Sequence, residues 1–307
     1  MAFVRAVVRR LPDGTQARVL PYHISFEGLE KNIICRDEKD CDLLVKTIVV
    51  CSRKKNVIII IYAVASNHAH IAVLAKTYRD AISYAEEVKR VYSMHFRHKY
   101  GEAKILKNSD INVQSLDTDW YLRNALAYIP RNAYDNGAEN IADYKWTGFR
   151  AFFRKDVPVG TRPVSSMTAR EWRNIFHTGD NLSDTRWTVN SEDELEPCSF
   201  CDTEYLERAF NGDEAFFYKC VGGVNVAEMT EKLVVSPRTR KTDSEFIKEL
   251  DAVAQRWFFT NARSLTSEQK ARLLPYVFRT MKTTVPQMAR ALGMEREEIK
   301  RLLNLTR

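Results

Sequence analysis

The sequence has no long hydrophobic run. Its longest apolar stretch, residues 57–65, can form a buried strand but is far shorter than the roughly 20 residues that a membrane-spanning helix needs. The N-terminus carries arginines without the apolar segment and cleavage site of a secretory leader. The six cysteines show no extracellular disulfide framework, and Cys198 and Cys201 form a single CxxC pair without the second pair typical of a zinc site. These absences favour a protein of the reducing cytoplasm that has no membrane partner.

The chain also lacks a strong charge of one sign. Its 47 Lys and Arg against 40 Asp and Glu give a formal net charge of +7. Positive charge is concentrated in residues 89–100, where cations alternate with Tyr and Phe, a mixture that contacts phosphates and stacks on unpaired bases. Arg90, Arg97 and Lys99 are therefore candidate DNA contacts. The alternative is an ordinary amphipathic helix, beginning near Tyr78, whose aromatic residues face the core and whose cations are solvated.

Two histidines, His68 and His70, lie in the most informative segment of the chain. They open the second of two β-branched runs, and the turn residues 65–67 between the runs predict a hairpin of buried strands. Because side chains alternate along a strand, the two imidazoles point to the same face. Burying both imidazole rings in a hydrophobic core costs desolvation free energy with no compensating interaction. Two neighbouring imidazoles can instead bind one divalent ion. The pair indicates half of a metal site; the alternative is an exposed or hydrogen-bonded pair of histidines.

A helix is predicted over residues 119–132, where apolar residues recur at helical spacing after an acidic first residue. Tyr128 and Asn132 lie four residues apart and therefore share one face of that helix. If this face meets the histidine strand, a phenol and a third ligand converge on the same ion. Taken by itself, Tyr128 is also compatible with a half-buried aromatic residue of an amphipathic helix.

Several motifs together resemble the single-tyrosine HUH transposases of insertion sequences, and in particular the REP-associated tyrosine transposases. The resemblance runs from Tyr22 to Phe153, about half of the chain. Its stretches, in matching order and spacing, are Tyr22-His23-Ile24-Ser25-Phe26-Glu27-Gly28, Arg36-Asp37-Glu38, the hairpin 62–74, Tyr128-Ile129-x-x-Asn132, and Asp143-Tyr144-x-Trp146-x-x-Phe149-Arg150.

This resemblance implies a metal-dependent reaction on DNA. In such enzymes two histidines and an Asn or Gln four residues after the tyrosine hold Mg²⁺ or Mn²⁺ on the scissile phosphate, which implies His68, His70 and Asn132 as ligands here. The ion acts as a Lewis acid and a template. Tyr128 corresponds to the nucleophile, and the products are a 5′-phosphotyrosine and a free 3′-hydroxyl. The implied partner is DNA that is single-stranded or forms a hairpin, bound by a monomer or a homodimer in a bacterial cell.

The chain departs from the family pattern near the proposed nucleophile. Ala133 replaces the Pro that usually follows the Asn, and residues 100–107 replace the Gly-His-Leu-Trp-Gln-Gly-Arg-Phe-Lys-like stretch that usually precedes this helix. Pro130 lies between Tyr128 and Asn132, where its missing N–H and its ring predict a kink that shifts Asn132 relative to Tyr128.

The Pro- and Gly-containing stretch 155–163 predicts a boundary after the last of these motifs. We therefore divide the chain into a nuclease-like domain over residues 1–155, a connecting region of mixed or helical structure over 156–245, and a helical domain over 246–307.

The helical domain contains a pattern that resembles a helix-turn-helix. Gly293 ends one helix and a second begins at Glu295. Arg296, Lys300 and Arg301 of the second helix are candidate DNA contacts. The alternative is a helical bundle used for packing or oligomerisation, because glutamates crowd the start of the same helix and repel phosphate.

The predicted fold class is α+β, with an antiparallel sheet and helices on one face, followed by a mainly helical C-terminal region. The leading function is a transposase-like enzyme that nicks and joins single strands of DNA in the bacterial cytoplasm. One alternative is a non-catalytic DNA-binding regulator that keeps the same fold. The other is a metal-dependent hydrolase that cleaves without a covalent intermediate.

Overall fold

The computed structural model describes residues 5–28, 33–101, 106, 111–136, 138–154, 158, 160–223, 243–281, 283 and 285–303. The chain forms two compact units, Met1–Asn225 and Val226–Arg307. The first unit thus contains the predicted nuclease-like domain together with most of the predicted connecting region. None of the described helices is long and apolar enough to cross a membrane.

The first unit combines an antiparallel sheet with α-helices. Its described strands are β1 (Val7–Arg10), β2 (Gln16–Glu27), β3 (Ile58–Val64), β4 (His68–Ala75), β5 (Ile111–Ser115), β6 (Arg162–Pro163) and β7 (Thr188–Val189). Its described α-helices are α1 (Glu38–Lys54), α2 (Tyr78–Tyr100), α3 (Asp119–Asp135), α4 (Ala169–Phe176), α5 (Thr203–Ala209) and α6 (Glu214–Gly223). The predicted hairpin corresponds to β3 and β4, and the predicted helix over residues 119–132 corresponds to α3.

Strand β2 is the centre of the main sheet. Along one edge β2 pairs with β4, and the opposite edge of β4 pairs with β3. Along its other edge β2 pairs with β1 near its start and with β5 further along. Every one of these pairings is antiparallel, so the α+β class with an antiparallel sheet is confirmed. In the register of β2 and β4, Ser25 lies opposite His70 and Glu27 lies opposite His68. This register decides which side chains share a face.

The helices of the first unit begin and end at residues suited to those positions. Thr77 and Thr118 cap the N-termini of α2 and α3 by accepting hydrogen bonds from backbone N–H groups of the first turn. Gly101 ends α2 in the left-handed conformation, with φ at +72°, which glycine adopts without strain. Helix α3 continues through Pro130 to Asp135.

A segment after α3 covers the free edge of β3. The backbone N–H of Val64 donates to the carbonyl of Trp146 (2.9 Å), and the hydroxyl of Tyr144 donates to the carbonyl of Val64 (2.8 Å). Gly148 lies so close to Tyr62 that an added Cβ would come within 3.2 Å of its ring. These contacts pair an edge that would otherwise be open to other chains.

Residues 160–223 pack against the same sheet. Thr168 and Glu171 form a capping box at the start of α4. The stretch 203–217 contains α5 and the start of α6, with a turn at Asn211 and Gly212 between them. The backbone N–H of Asp202 donates to the carbonyl of Ile59 at 2.8 Å, which ties this region to β3.

The described part of the second unit is helical. It consists of α7 (Asp243–Phe258), α8 (Ser267–Thr280), α9 (Val285–Leu292) and α10 (Arg296–Leu302). Thr266 and Gln269 form a capping box at the start of α8. Gly293 separates α9 from α10 with φ at +61°. Leu292 and Ile299 belong to the buried core of this unit, whereas Leu302, at the end of α10, is 37% exposed.

Candidate active site

The histidine face of the sheet lies against α3. Residues opposite each other in an antiparallel pair point to the same side, so His23 of β2 shares a face with His68 and His70 of β4. Tyr128 of α3 contacts His70 on this face and Asn132 contacts His68. The structure therefore brings together the four residues that the sequence and the family resemblance suggested.

Asn132 faces His68 with its amide oxygen. Its Oδ1 lies 3.0 Å from His68 Nε2, while its Nδ2 donates to the carbonyl of Ile129 at 2.9 Å. Because the amide nitrogen is used on its own helix, the oxygen is the atom that points into the site. The predicted shift of Asn132 away from Tyr128 does not separate them, since both side chains lie toward the histidines despite Pro130 between them.

The turn that precedes His68 is held from several sides. The backbone N–H of Ser66 donates to Asn136 Oδ1 at the C-cap of α3 (2.8 Å), and the carbonyl of Ser66 accepts from the N–H of Ile34 (2.8 Å). The carbonyl of Asn67 accepts from the N–H of Gly28 at 2.9 Å. The position of His68 is therefore fixed relative to β2 and α3.

His70 lies at the centre of the site. Its ring meets that of Tyr128 edge to face, with centroids 5.5 Å apart and planes at 88°, and meets that of His68 at 5.1 Å and 82°. Burial lowers the pKa of His70, and the neighbouring His68 and His23 lower it further. At neutral pH the ring is therefore uncharged. His68 and Tyr128 are only partly buried, so the site can be reached from solvent.

His23 is part of the site but was not assigned a role from the sequence. Its Nε2 lies 3.0 Å from His70 Nδ1, and the two ring planes are within 7° of parallel with centroids 5.1 Å apart. The side chain is 1% exposed, and burial lowers its pKa to about 4. The Tyr22-His23 dipeptide was visible in the sequence. The pairing of β2 beside β4, which brings His23 to His70, cannot be read from a local pattern.

A second tyrosine of α3 lies on the same face. Tyr121 precedes Tyr128 by two turns and donates its hydroxyl to the side chain of Gln114 on β5. Burial raises the pKa of Tyr121 to about 12. Its hydroxyl is thus committed to a hydrogen bond and is harder to ionise than an ordinary phenol.

The residues present suit a divalent cation. His68 Nε2 and Asn132 Oδ1, which lie 3.0 Å apart, are an imidazole nitrogen and an amide oxygen, two ligand types that would hold such an ion. His68 Nδ1 has an acceptor at 2.6 Å, Asn67 Oδ1, as metal-binding histidines usually do on their second nitrogen. The described residues contain no group of three or more His, Cys, Asp or Glu arranged around one ion, so the set here is two imidazoles and an amide.

The cations of α2 that were predicted to contact DNA are mostly used inside the protein. Arg90 forms two hydrogen bonds with Glu87, at 2.9 and 2.8 Å. Lys99 contacts Asp37 at 2.8 Å and the buried Asp40 at 2.7 Å. Arg97 is exposed and makes no ion pair within the described ranges. The pairs of Lys99 with Asp37 and Asp40 span 62 and 59 residues and were not visible in the sequence, whereas Glu87 lies only three residues before Arg90.

In the second unit, Arg296 and Arg301 of α10 are exposed, and Lys300 pairs with Glu297 at 2.7 Å. Two glutamates occupy the first turn of this helix. A role of α10 in DNA binding stays a prediction.

Comparison with known proteins gives little further information. No protein-family model matches the chain, and no curated protein is similar to it in sequence. Among solved structures, that of a REP-associated tyrosine transposase bound to a REP hairpin matches with 15% sequence identity over 42% of this chain and 76% of that chain, at a TM-score of 0.33. A match at this level does not establish a common fold or activity.

Proposed function

We propose that the protein is a metal-dependent enzyme that nicks and joins single strands of DNA through a 5′-phosphotyrosine on Tyr128. The observation that carries this proposal is the meeting of Tyr128 with His70, and of Asn132 with His68, across the contact between α3 and β4. Together with the motif resemblance from Tyr22 to Phe153, this arrangement supports phosphoryl transfer more than a structural histidine pair.

The proposed site holds Mg²⁺ or Mn²⁺ through His68, His70 and the oxygen of Asn132. When bound, the ion withdraws charge from the phosphate oxygens and aligns the scissile group. Asn67 orients His68 for this task by accepting the Nδ1 proton, and the bond from Asn132 Nδ2 to Ile129 keeps the amide oxygen directed inward.

Tyr128 performs the transfer itself. A phenol has an ordinary pKa near 10, so it must lose its proton before or during attack. A bond forms between Tyr128 Oη and phosphorus while the bond from phosphorus to the 3′-oxygen breaks. The phenolic proton passes to solvent and the leaving 3′-oxygen takes one up. The DNA 5′-phosphate stays on the protein, and the reverse attack of a 3′-hydroxyl rejoins a strand without another energy source.

Covalent capture of DNA tests this proposal. The full-length protein, incubated with Mn²⁺ and a random single-stranded library, should form adducts that survive denaturation and release fragments with a free 3′-hydroxyl. Tyr128→Phe should form none, whereas the matched change Tyr134→Phe, at an exposed tyrosine of the same helix, should form them normally. His68→Ala should abolish both cleavage and adduct.

The alternatives predict different results in the same experiment. Cleavage without an adduct would indicate a hydrolase. Binding without cleavage would indicate a DNA-binding protein that lacks catalysis. Either result contradicts the proposal.

A further inference from the structure

His23 and His70 share one hydrogen bond in a buried place. The 3.0 Å between His23 Nε2 and His70 Nδ1 requires one nitrogen to donate and the other to accept. Two neutral rings carry one proton each, so the pair has two arrangements. Among the described residues, His23 Nδ1 is buried without a hydrogen-bond partner. This unpartnered nitrogen makes the two arrangements unequal.

In the first arrangement, His23 Nε2 donates to His70 Nδ1. His70 then carries its own proton on Nε2, and the unpartnered His23 Nδ1 is only a lone pair. In the second, His70 Nδ1 donates to His23 Nε2, which leaves His70 Nε2 bare, while His23 carries an N–H that has no acceptor. Buried N–H groups without an acceptor are rarer than unmet acceptors. The first arrangement is therefore the resting one.

A cation-binding role of His70 requires the second arrangement, because Nδ1 is already engaged with His23 and a ligand needs a bare Nε2. His68 differs from His70 in the partner of its Nδ1 nitrogen. The Nδ1 of His68 faces the amide oxygen of Asn67, which can accept but cannot donate. His23 can do both, so it is the partner that decides which nitrogen of His70 is available.

We infer that His23 is a positioning residue for His70: it lies nearly coplanar with the His70 ring, holds that ring by the hydrogen bond to Nδ1 and, through the shared proton, sets which His70 nitrogen is bare. This inference rests on the proposed function for its consequence, since a correctly oriented His70 is what the cation needs. His23 itself does not contact the reacting atoms in this role.

Two substitutions separate positioning from simple packing. His23→Phe keeps an aromatic ring of similar size and removes the unmet nitrogen, so a residue that only packs would tolerate it well. His23→Gln is not aromatic, but its amide can donate or accept toward His70 Nδ1. Phe cannot accept the Nδ1 proton of His70 in the arrangement that leaves Nε2 bare, so positioning predicts that Mn²⁺ affinity falls by roughly 10- to 100-fold in the Phe variant and that the Gln variant recovers most of the loss. Packing alone predicts the opposite order.

The experiment measures Mn²⁺ binding to the full-length protein by electron paramagnetic resonance. The matched controls are His95→Phe and His95→Gln, at a half-buried histidine of α2 whose ring centroid lies 5.1 Å from that of His177. Both controls should bind Mn²⁺ as the unmodified protein does. Equal or tighter binding by the His23→Phe variant than by the His23→Gln variant would overturn the inference while leaving the proposed function intact.

A second measurement does not depend on metal. Nitrogen NMR of ¹⁵N-histidine-labelled, metal-free protein distinguishes protonated from bare ring nitrogens. His70 should occupy one tautomer with its proton on Nε2, and His23→Phe should give a mixture. A mixture in the unmodified protein, or a proton on His70 Nδ1, would overturn the inference. Absence of Mn²⁺ binding in the unmodified protein would instead contradict the proposed function, and the NMR result would still decide the role of His23.

Discussion

At the scale of single residues, the site depends on how each imidazole is partnered. His68 has an amide oxygen on each ring nitrogen, from Asn67 at 2.6 Å and Asn132 at 3.0 Å. His70 has the imidazole of His23, from the neighbouring strand, on its Nδ1. His68, the more exposed histidine, is thus held by two amide side chains. His70, the buried one, is held by His23, whose burial restricts its protonation. Both arrangements restrict the orientation of the rings, and that of His70 meets Tyr128 edge to face.

The burial of His23 has a consequence for stability at low pH. In the unfolded chain this group binds a proton near pH 6.5, but in the folded protein its pKa is about 4. Between these values the unfolded state binds more protons. Stability therefore falls as the pH drops from about 6.5 to about 4, by roughly 1.4 kcal/mol per pH unit for this one group, and this contribution changes no further below about 4. His70, whose pKa is also lowered, acts in the same direction.

Urea unfolding of the metal-free protein at several pH values between 4 and 7 checks this prediction. His23→Phe should flatten the dependence of the free energy of unfolding on pH by about one proton in that window. The exposed His98→Phe is the matched control and should leave the slope as it is. The same slope in the His23→Phe variant and the unmodified protein would show that His23 is not buried in its neutral form.

At the scale of elements, the hairpin and α3 could be predicted from the sequence because each depends on a local period. Alternation placed His68 and His70 on one face, and the four-residue spacing placed Tyr128 and Asn132 together. The contact between β4 and α3 was suggested by the family resemblance, since no local pattern specifies it. His23 was not assigned because its role depends on strand pairing. The ion pair of Lys99 with Asp40 spans 59 residues and was equally hidden.

Asn136 connects α3 to the turn before β4, and its removal should loosen that connection. Asn136→Ala loses the hydrogen bond from the Ser66 N–H at 2.8 Å. We expect a loss of about 1 kcal/mol in the free energy of unfolding, together with weaker Mn²⁺ binding, because His68 follows this turn directly. Asn140→Ala removes a comparable bond, to the N–H of Ala142, away from the turn and should weaken Mn²⁺ binding much less. Equal metal affinities in the two variants would exclude this role of Asn136.

At the scale of the whole molecule, the sequence suggested a boundary near residue 155, whereas many contacts join residues 160–223 to the sheet. Arg9 of β1 pairs with Asp202 at 2.7 Å, and Phe217 of α6 lies against Phe149 and Phe152 with ring centroids 5.8 and 6.1 Å away. Part of the Pro- and Gly-containing stretch 155–163 lies outside the described residues, and residues 160–223 after it pack onto the same core. Local punctuation alone does not reveal such continuity.

Truncated proteins distinguish a domain boundary near residue 155 from one after Asn225. A protein ending at Asn225 keeps the carbonyls of Val221 and Gly222 that accept from Arg131 of α3, and it should fold cooperatively and bind Mn²⁺. A protein ending at residue 155 loses the partners of Arg9 and Phe149 and should be unstable. Circular dichroism with thermal unfolding, followed by Mn²⁺ titration, compares the two. A stable, metal-binding 1–155 fragment would support the domain boundary near residue 155 that the sequence predicts.

The central claim, that Tyr128 is the nucleophile of a DNA strand-transfer reaction, is tested most directly by identifying the residue that carries the DNA. Adducts formed with Mn²⁺ can be digested with protease and nuclease, and the modified peptide sequenced by mass spectrometry. We expect a nucleotide on Tyr128, in a peptide from α3, linked through the 5′-phosphate. A nucleotide on Tyr121, whose hydroxyl is bound to Gln114, or on a residue outside α3, would contradict it.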